Sequence, residues 1–262
     1  MTTPFYATRE EIKAELDVKE TARSNSRIDR ALADATEAVY GLTHRIFYPV
    51  LETRSFDWPP RSGASTPWIL RLDANELISV TSVSSGGTVL DSGDCLLRRA
   101  DDKAEPPYTR IEINLAGSAS FGGGDTYQQD IAITGLWGYR NDETSAGVTA
   151  EALDSSETGV DVDAATSAAV GVGSLLRIDD ERLIVTGRAQ LDTGQTLGGA
   201  GLTSQNSSVT VTVQNGAVFA AGETILIDGE RMRVDEIAGN TLVVTRAWDG
   251  STIAAHTVGA VI

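Results

Sequence analysis

A single cysteine, Cys95, stands in a chain of 262 residues. That excludes an intrachain disulfide framework and fits synthesis in a reducing compartment. Histidine is almost as scarce: His44 and His256 are the only two, so a His-based triad or zinc site would have to be built from residues far apart in the chain. No lysine follows a glycine, which removes the G-x-x-x-x-G-K phosphate loop. No apolar run approaches the roughly 20 residues that a membrane-spanning helix needs. The start, MTTPFYATREEIKAEL, lacks the basic-then-apolar pattern of a secretory signal; no membrane association is expected. Basic residues are outnumbered, with 21 Lys and Arg against 37 Asp and Glu, a net charge of −16. Such a surface does not neutralise nucleic-acid phosphates. It is compatible with a protein that lets DNA pass without holding it.

What is present is an ordinary globular composition, 41% apolar and 22% charged, long enough for one or two domains with real cores. The composition steps near residue 150. Thirteen of the 15 aromatic residues lie at or before Tyr139, and only Phe219 and Trp248 follow. All three lysines precede the step. The first 149 residues carry 15 basic and 22 acidic residues, a net of −7; the remainder carries 6 and 15, a net of −9. The polar, acidic stretch Asn141 to Glu157 reads as a linker, giving expected domains at 1–145 and 146–262.

The first part opens with two helices. Thr8-Arg9-Glu10-Glu11 has the form of a capping box, with Ile12 and Leu16 sharing one face. Ile28, Leu32, Ala35, Val39, Leu42 and Ile46 then recur at spacings of four and three, a single apolar stripe that Pro49 closes. Short β-rich runs follow at Leu51–Trp58, Trp68–Leu72, Leu77–Val83, Asp94–Arg98, Thr109–Leu115 and Asp130–Trp137. Turn signals separate them: Pro59-Pro60, Ser85-Gly86-Gly87, Asp91-Ser92-Gly93, Pro106-Pro107 and Gly122-Gly123-Gly124-Asp125.

The second part contains a duplication. Residues 172–185, VGSLLRIDDERLIV, align with 221–234, AGETILIDGERMRV, at a constant offset of 49, which also brings Val160 and Val162 onto Val209 and Val211. Each copy reads as a strand, a tight turn and a returning strand, with Asp228-Gly229 a strong hairpin signal. The fold class expected is α+β: an N-terminal helical hairpin or bundle with a small antiparallel sheet, then a duplicated all-β barrel or sandwich.

The residues that could carry chemistry read mainly as structural. His44 ends a helix, where a cation suits the dipole, and His256 has no ligand near it in sequence. Asp179-Asp180-Glu181 and Asp228-Gly229-Glu230 are too short for a calcium loop, and each precedes an arginine, so they read as turns. The Gly122–Gly124 run reads as a flexible loop tip, and Cys95 as a small strand residue. Phe47, Tyr48, Phe56, Trp58 and Trp68 form an aromatic group that suits either the core or a subunit interface. A non-enzymatic protein without catalytic residues, metal or cofactor is expected.

The order of elements resembles the head-tail adaptor (connector) proteins of long-tailed bacteriophages. The stretches that carry the resemblance are YATREEIKAEL (6–16), IDRALADATEAV (28–39), LISVTSV (77–83), YTRIEIN (108–114) and IAITGLWGY (131–139), about half the chain. The resemblance implies a virion protein of the neck, made in the host cytoplasm. It would form a ring, commonly of twelve copies, beneath the portal protein, extending the DNA channel and docking the next neck or tail protein. For such a ring, Arg27 and Arg30 on one helix face, with Phe47, Tyr48, Trp58 and Trp68, are the candidate contacts with the neighbouring subunit or the portal. After Tyr139 the sequence departs from simple adaptors and runs into the duplicated β unit, where Trp248 is a candidate surface contact. Two other readings stand beside this one. A surface- or carbohydrate-binding module in the β part would need Trp248 exposed. A hydrolase would need a cleft with perturbed carboxylates.

Overall fold

The computed structural model of the chain describes residues 3–16, 25–59 and 66–262. Pro60, part of the expected Pro59-Pro60 break, and residues 60–65 of the Trp58–Trp68 loop lie outside them. The chain is mixed helix and sheet, with few helices and several antiparallel sheets. Among the described residues no helix is long and apolar enough to cross a membrane.

Helix α1 (Arg9–Leu16) starts as its capping box dictates. Thr8 Oγ1 accepts from Glu11 N at 3.1 Å and Glu11 Oε2 accepts from Thr8 N at 2.6 Å. Helix α2 (Asn25–Thr43) buries Ile28, Leu32 and Thr36. Its stripe is covered only so far: Leu42 is 84% exposed. The helix ends earlier than the apolar periodicity reaches, because His44 turns left-handed at φ +53°, with its N–H still bonded to Tyr40 O at 2.7 Å.

Seven strands follow: β1 (Val50–Phe56), β2 (Ile69–Arg71), β3 (Leu77–Ser85), β4 (Thr88–Val89), β5 (Cys95–Arg98), β6 (Arg110–Ile113) and β7 (Ile131–Trp137). The two-residue β4 lies outside the β-rich runs of the sequence. Then come α3 (Ala164–Ala169), capped by Asp163, and β8 (Leu175–Ile178), β9 (Glu181–Ile184), β10 (Thr210–Thr212), β11 (Thr224–Ile227), β12 (Glu230–Ala238) and β13 (Thr241–Thr245).

The chain forms two compact units, residues 37–143 and residues 1–36 with 144–262. The grouping differs from the expected 1–145 and 146–262 because the N-terminal segment packs on the repeat. Phe5 N donates to Gly173 O at 3.1 Å, Val172 N donates to Glu10 Oε2 at 2.7 Å, and buried Lys13 pairs with Asp249. Arg9 grips Asp29 with two hydrogen bonds of 2.8 and 2.6 Å and so ties α1 to α2.

The 37–143 unit holds two antiparallel sheets, ordered β1-β7-β3-β4 and β2-β6-β5. Alternate residues of β6 and β7 point into a core that includes Leu70, Leu77, Ile111, Ile131, Ile133 and Trp137. The Gly122–Gly124 run is part of this packing. Gly86, at φ +59°, lies so close that an added Cβ would sit 2.6 Å from the backbone of Gly123 and Gly124. Gly86→Ala is therefore expected to destabilise this unit by at least about 2 kcal/mol. The urea midpoint of the variant, set against that of Gly87→Ala, whose added methyl meets no atom within 4 Å, isolates the clash from the cost of positive φ.

In the other unit the two repeat hairpins form where the 49-residue offset places them. β8 pairs with β9 from Leu175↔Ile184 to Ile178↔Glu181, and β11 with β12 from Thr224↔Arg233 to Ile227↔Glu230. They do not share a sheet. β8–β9 is two-stranded, whereas β11–β12 belongs to a four-stranded sheet ordered β10-β13-β12-β11. That sheet buries Val211, Ile225, Ile227, Met232, Val234, Leu242 and Val244 in one core.

Candidate functional site

The expected contact residues divide by burial. Arg27 and Arg30 stand exposed on α2. Phe47 is half-buried, its ring edge-on to Tyr139 at 5.5 Å between centroids, and Tyr48 is half-buried as well. Trp58 is half-buried and donates its indole N–H to Asp130 Oδ2 at 2.5 Å. The same oxygen accepts from Ser85 Oγ and Gly86 N, at 3.1 and 2.8 Å. The Trp58, Ser85 and Gly86 bonds hold the Asp130 carboxyl below its usual range. Trp58 thus fastens a loop junction. Phe56 stacks on Trp137 and serves the core. Trp68 is exposed. Of the aromatic group, Trp68 is the most open, at 38% exposed.

Further exposed apolar residues of the 37–143 unit are Tyr40 and Leu42 near the end of α2, Leu51 on β1, and Val89, Leu96, Leu115 and Tyr127. Strand β1 is an edge strand, paired with β7 only. Beside it in sequence, Arg45 reaches Glu76 at 3.2 Å and lies over the Tyr139 ring. Burial pushes the Glu76 carboxyl up, and its Oε2 has no hydrogen-bond partner among the described residues.

In the repeat unit, Trp248 is buried, 9% exposed, beneath the Arg233 guanidinium. It does not present a platform to a sugar ring. Next to it the structure assembles a network that sequence spacing conceals. Glu230 and Arg246 are fully buried and joined by two hydrogen bonds of 2.7 Å. Glu230 also accepts from Ala247 N and Ala254 N, each at 2.9 Å. Arg246 spends its remaining N–H groups on the carbonyls of Thr203, Ser208 and Ala254, at 3.1, 2.8 and 2.6 Å, so all five of its donors are used. His256, expected to be without a partner, lies between two carboxylates, Nδ1 at 2.7 Å from Asp228 Oδ2 and Nε2 at 2.9 Å from Glu230 Oε2. Burial alone would push the Glu230 carboxyl up. The bonds from Arg246, His256, Ala254 and Ala247 outweigh it and bring the carboxyl down to about 2. With every Glu230 and Arg246 group satisfied, this cluster clamps strands and loops together and leaves neither residue free for a substrate.

A cavity of about 1150 Å3 opens in the same unit, lined in part by Lys13, Glu223, Arg231, Trp248, Asp249 and Ile262. Of the cations lining it, Lys13 and Arg231 pair with Asp249 and Arg9 with Asp29, whereas exposed Arg188 donates to Ser167. Burial pushes the Glu223 carboxyl up, although Ala220 N donates to it. Cys95 is half-buried on β5, and burial raises its thiol pKa, which favours the unreactive form. Among the described residues no group of three or more His, Cys, Asp or Glu is placed to hold a metal ion.

No protein-family model matches the chain, and no curated protein or solved structure is significantly similar to it.

Proposed function

We propose that the protein is a structural component of a phage virion, a head-tail adaptor that assembles with copies of itself beneath the portal. The observation that carries this reading is the uncovered end of α2. An apolar stripe that continues past the point where the fold covers it, with Leu42 84% exposed, offers a surface to another protein; Tyr40, 47% exposed, adds apolar area on a different face of the same turn. The Leu51 edge strand adds to it. Ring closure needs a heterologous contact, one patch on each subunit meeting a different patch on the next. We place α2 residues Arg27 and Arg30, Tyr40, Leu42 and Trp68 on those patches. The next neck or tail protein docks on the opposite end, and packaged DNA passes without specific binding because a chain of net charge −16 does not hold phosphates. The duplicated β part we read as an outward addition to the adaptor. The glycan-binding alternative needed an accessible Trp248, and the burial of that ring weighs against it.

Native mass spectrometry and electron microscopy of the purified chain, alone and with purified portal, test the proposal. Wild-type protein should form closed rings on the portal. Leu42→Asp, at a site too exposed to disturb the fold, should stay monomeric with an unchanged circular dichroism spectrum. Failure of the wild-type chain to bind the portal, or rings that form as well with Leu42→Asp, would refute it.

A further inference from the structure

Strand β1 closes one edge of its sheet, and the register shows which of its backbone groups look outward. On the far side of β7, Gly138 N donates to Glu76 O at 2.8 Å, so Trp137, Gly135, Ile133 and Ile131 turn their amides and carbonyls to β1. Their partners are Val50, Glu52, Arg54 and Phe56. Trp58 N, two residues further on, faces the same way and donates to Tyr127 O at 2.9 Å. The N–H and C=O groups of Leu51, Thr53 and Ser55 therefore point away from the sheet, and none of them has a partner among the described residues. All three residues are exposed, Leu51 to 59%.

Natural edge strands are commonly protected from one another by a proline, a lysine, a bulge or short length. Strand β1 has none of these. Its seven residues, VLETRSF, pair with β7 without a register shift. Its two charges are opposite in sign and stand on either side of Thr53. Glu52 meets Arg54 Nε through Oε1 alone, at 2.6 Å. Arg54 is further held by Asn75 and by the Trp137 ring, 4.6 Å away.

We propose that the outer edge of β1 pairs with the same edge of a second copy, antiparallel and centred on Thr53. In that register Thr53 faces the partner's Thr53, and Leu51 and Ser55 face the partner's Ser55 and Leu51. Every outward N–H and C=O is then satisfied. Between these bonded pairs, where side chains approach most closely, Glu52 meets the partner's Arg54 and Arg54 the partner's Glu52. Val50 meets the partner's Phe56. Sliding the partner by two residues in either direction sets Glu52 against Glu52 or Arg54 against Arg54, so charge fixes the register. The strand carries no net charge, and salt screens the −16 of the whole chain beyond about 8 Å. The contact is two-fold and uses neither Leu42 nor the head-to-tail patches of the ring, so it is independent of that reading.

One strand edge makes a small contact, and a dissociation constant on the order of 100 µM is expected. Sedimentation equilibrium of the full-length chain from about 5 µM to about 500 µM should show monomer giving way to dimer. Hydrogen-exchange protection at residues 51–55 should rise with the dimer. Glu52→Lys, at an exposed site, sets like charges opposite each other twice per dimer and should weaken association about tenfold. Arg54→Glu should do the same, and mixing the two variants should restore association, because each then faces its opposite charge. Glu52→Lys decides alone if circular dichroism shows Arg54→Glu unfolded. Leu42→Asp, monomeric at the low-micromolar concentrations of the ring experiment, should dimerise as the wild type does. A chain that stays monomeric throughout overturns the proposal. So does a dimer without protection at 51–55, a Glu52→Lys dimer as tight as the wild type, or a mixture of folded variants that does not associate. Loss of the dimer in Leu42→Asp would assign it to the α2 surface and overturn it as well.

Discussion

Replacing Arg246 with methionine is expected to cost the repeat unit about 3–5 kcal/mol, the loss typical when one member of a buried ion pair is removed. Glu230 would be left charged and enclosed, and the carbonyls of Thr203, Ser208 and Ala254 would lose their donors. Removing both partners often restores stability in other buried pairs, but not here. Glu230→Leu with Arg246→Met would leave those three carbonyls and the amides of Ala247 and Ala254 unpaired. The double variant should therefore remain close to the single ones. Arg246→Lys should recover little, since an ammonium has three donors on one point and cannot span five acceptor sites. Urea denaturation monitored by hydrogen exchange in β10–β13 measures these losses. A loss below about 1 kcal/mol for Arg246→Met would mean that the clamp does not hold the sheet.

Acid is expected to weaken the same sheet. The Glu230 carboxyl sits at about 2 in the folded chain against an ordinary 4.5. A lowered folded value means that the stabilisation is complete above about 4.5 and is lost as the pH falls from there through about 2. The difference amounts to about 3 kcal/mol. Asp130, held low by Trp58, Ser85 and Gly86, acts in the same direction in the 37–143 unit. Urea midpoints for β10–β13 taken at neutral pH and at steps down to about pH 2.5 should fall most steeply at the acid end. Glu230→Gln should be less stable at neutral pH and flatter with acid. A profile as steep for Glu230→Gln as for the wild type would assign the acid sensitivity to other carboxylates.

Much of the local structure was legible in the residues because local rules decide it. The Thr8–Glu11 box, the six β-rich runs and the 49-residue offset each depend on neighbours within a few positions, and each appears where the pattern places it. What tertiary packing decides was not legible. The α2 stripe reads as one continuous face, yet burial fades from Thr36 through half-buried Val39 to Leu42, which is 84% exposed. The Gly122–Gly124 run reads as a loose tip, but glycine at Gly86 lets the two backbones touch. His256 has no partner within reach in sequence; its two carboxylates lie 28 and 26 residues away, on and beside another strand. The one available signal was Arg246, an arginine within an apolar strand-and-turn segment. A residue of that kind is seldom buried without a carboxylate to receive it. Trp248 could be read as exposed or buried from sequence, and it is buried, which counts against a sugar platform.

The left-handed aspartate that opens each hairpin sets a limit on how this chain can change length. Two residues connect β11 to β12, and Glu230 faces inward only because that number is fixed. Inserting one residue after Asp228 would rotate the strand by half a period, sending Glu230, Met232 and Val234 to solvent and Arg231 and Arg233 into the apolar interior. Single-residue insertions and deletions in this turn should thus be among the least tolerated in the chain. Lengthening the exposed 189–191 stretch, which forms no strand and precedes the bonds of Thr193 and Gln195 to Ile262, should be tolerated far better.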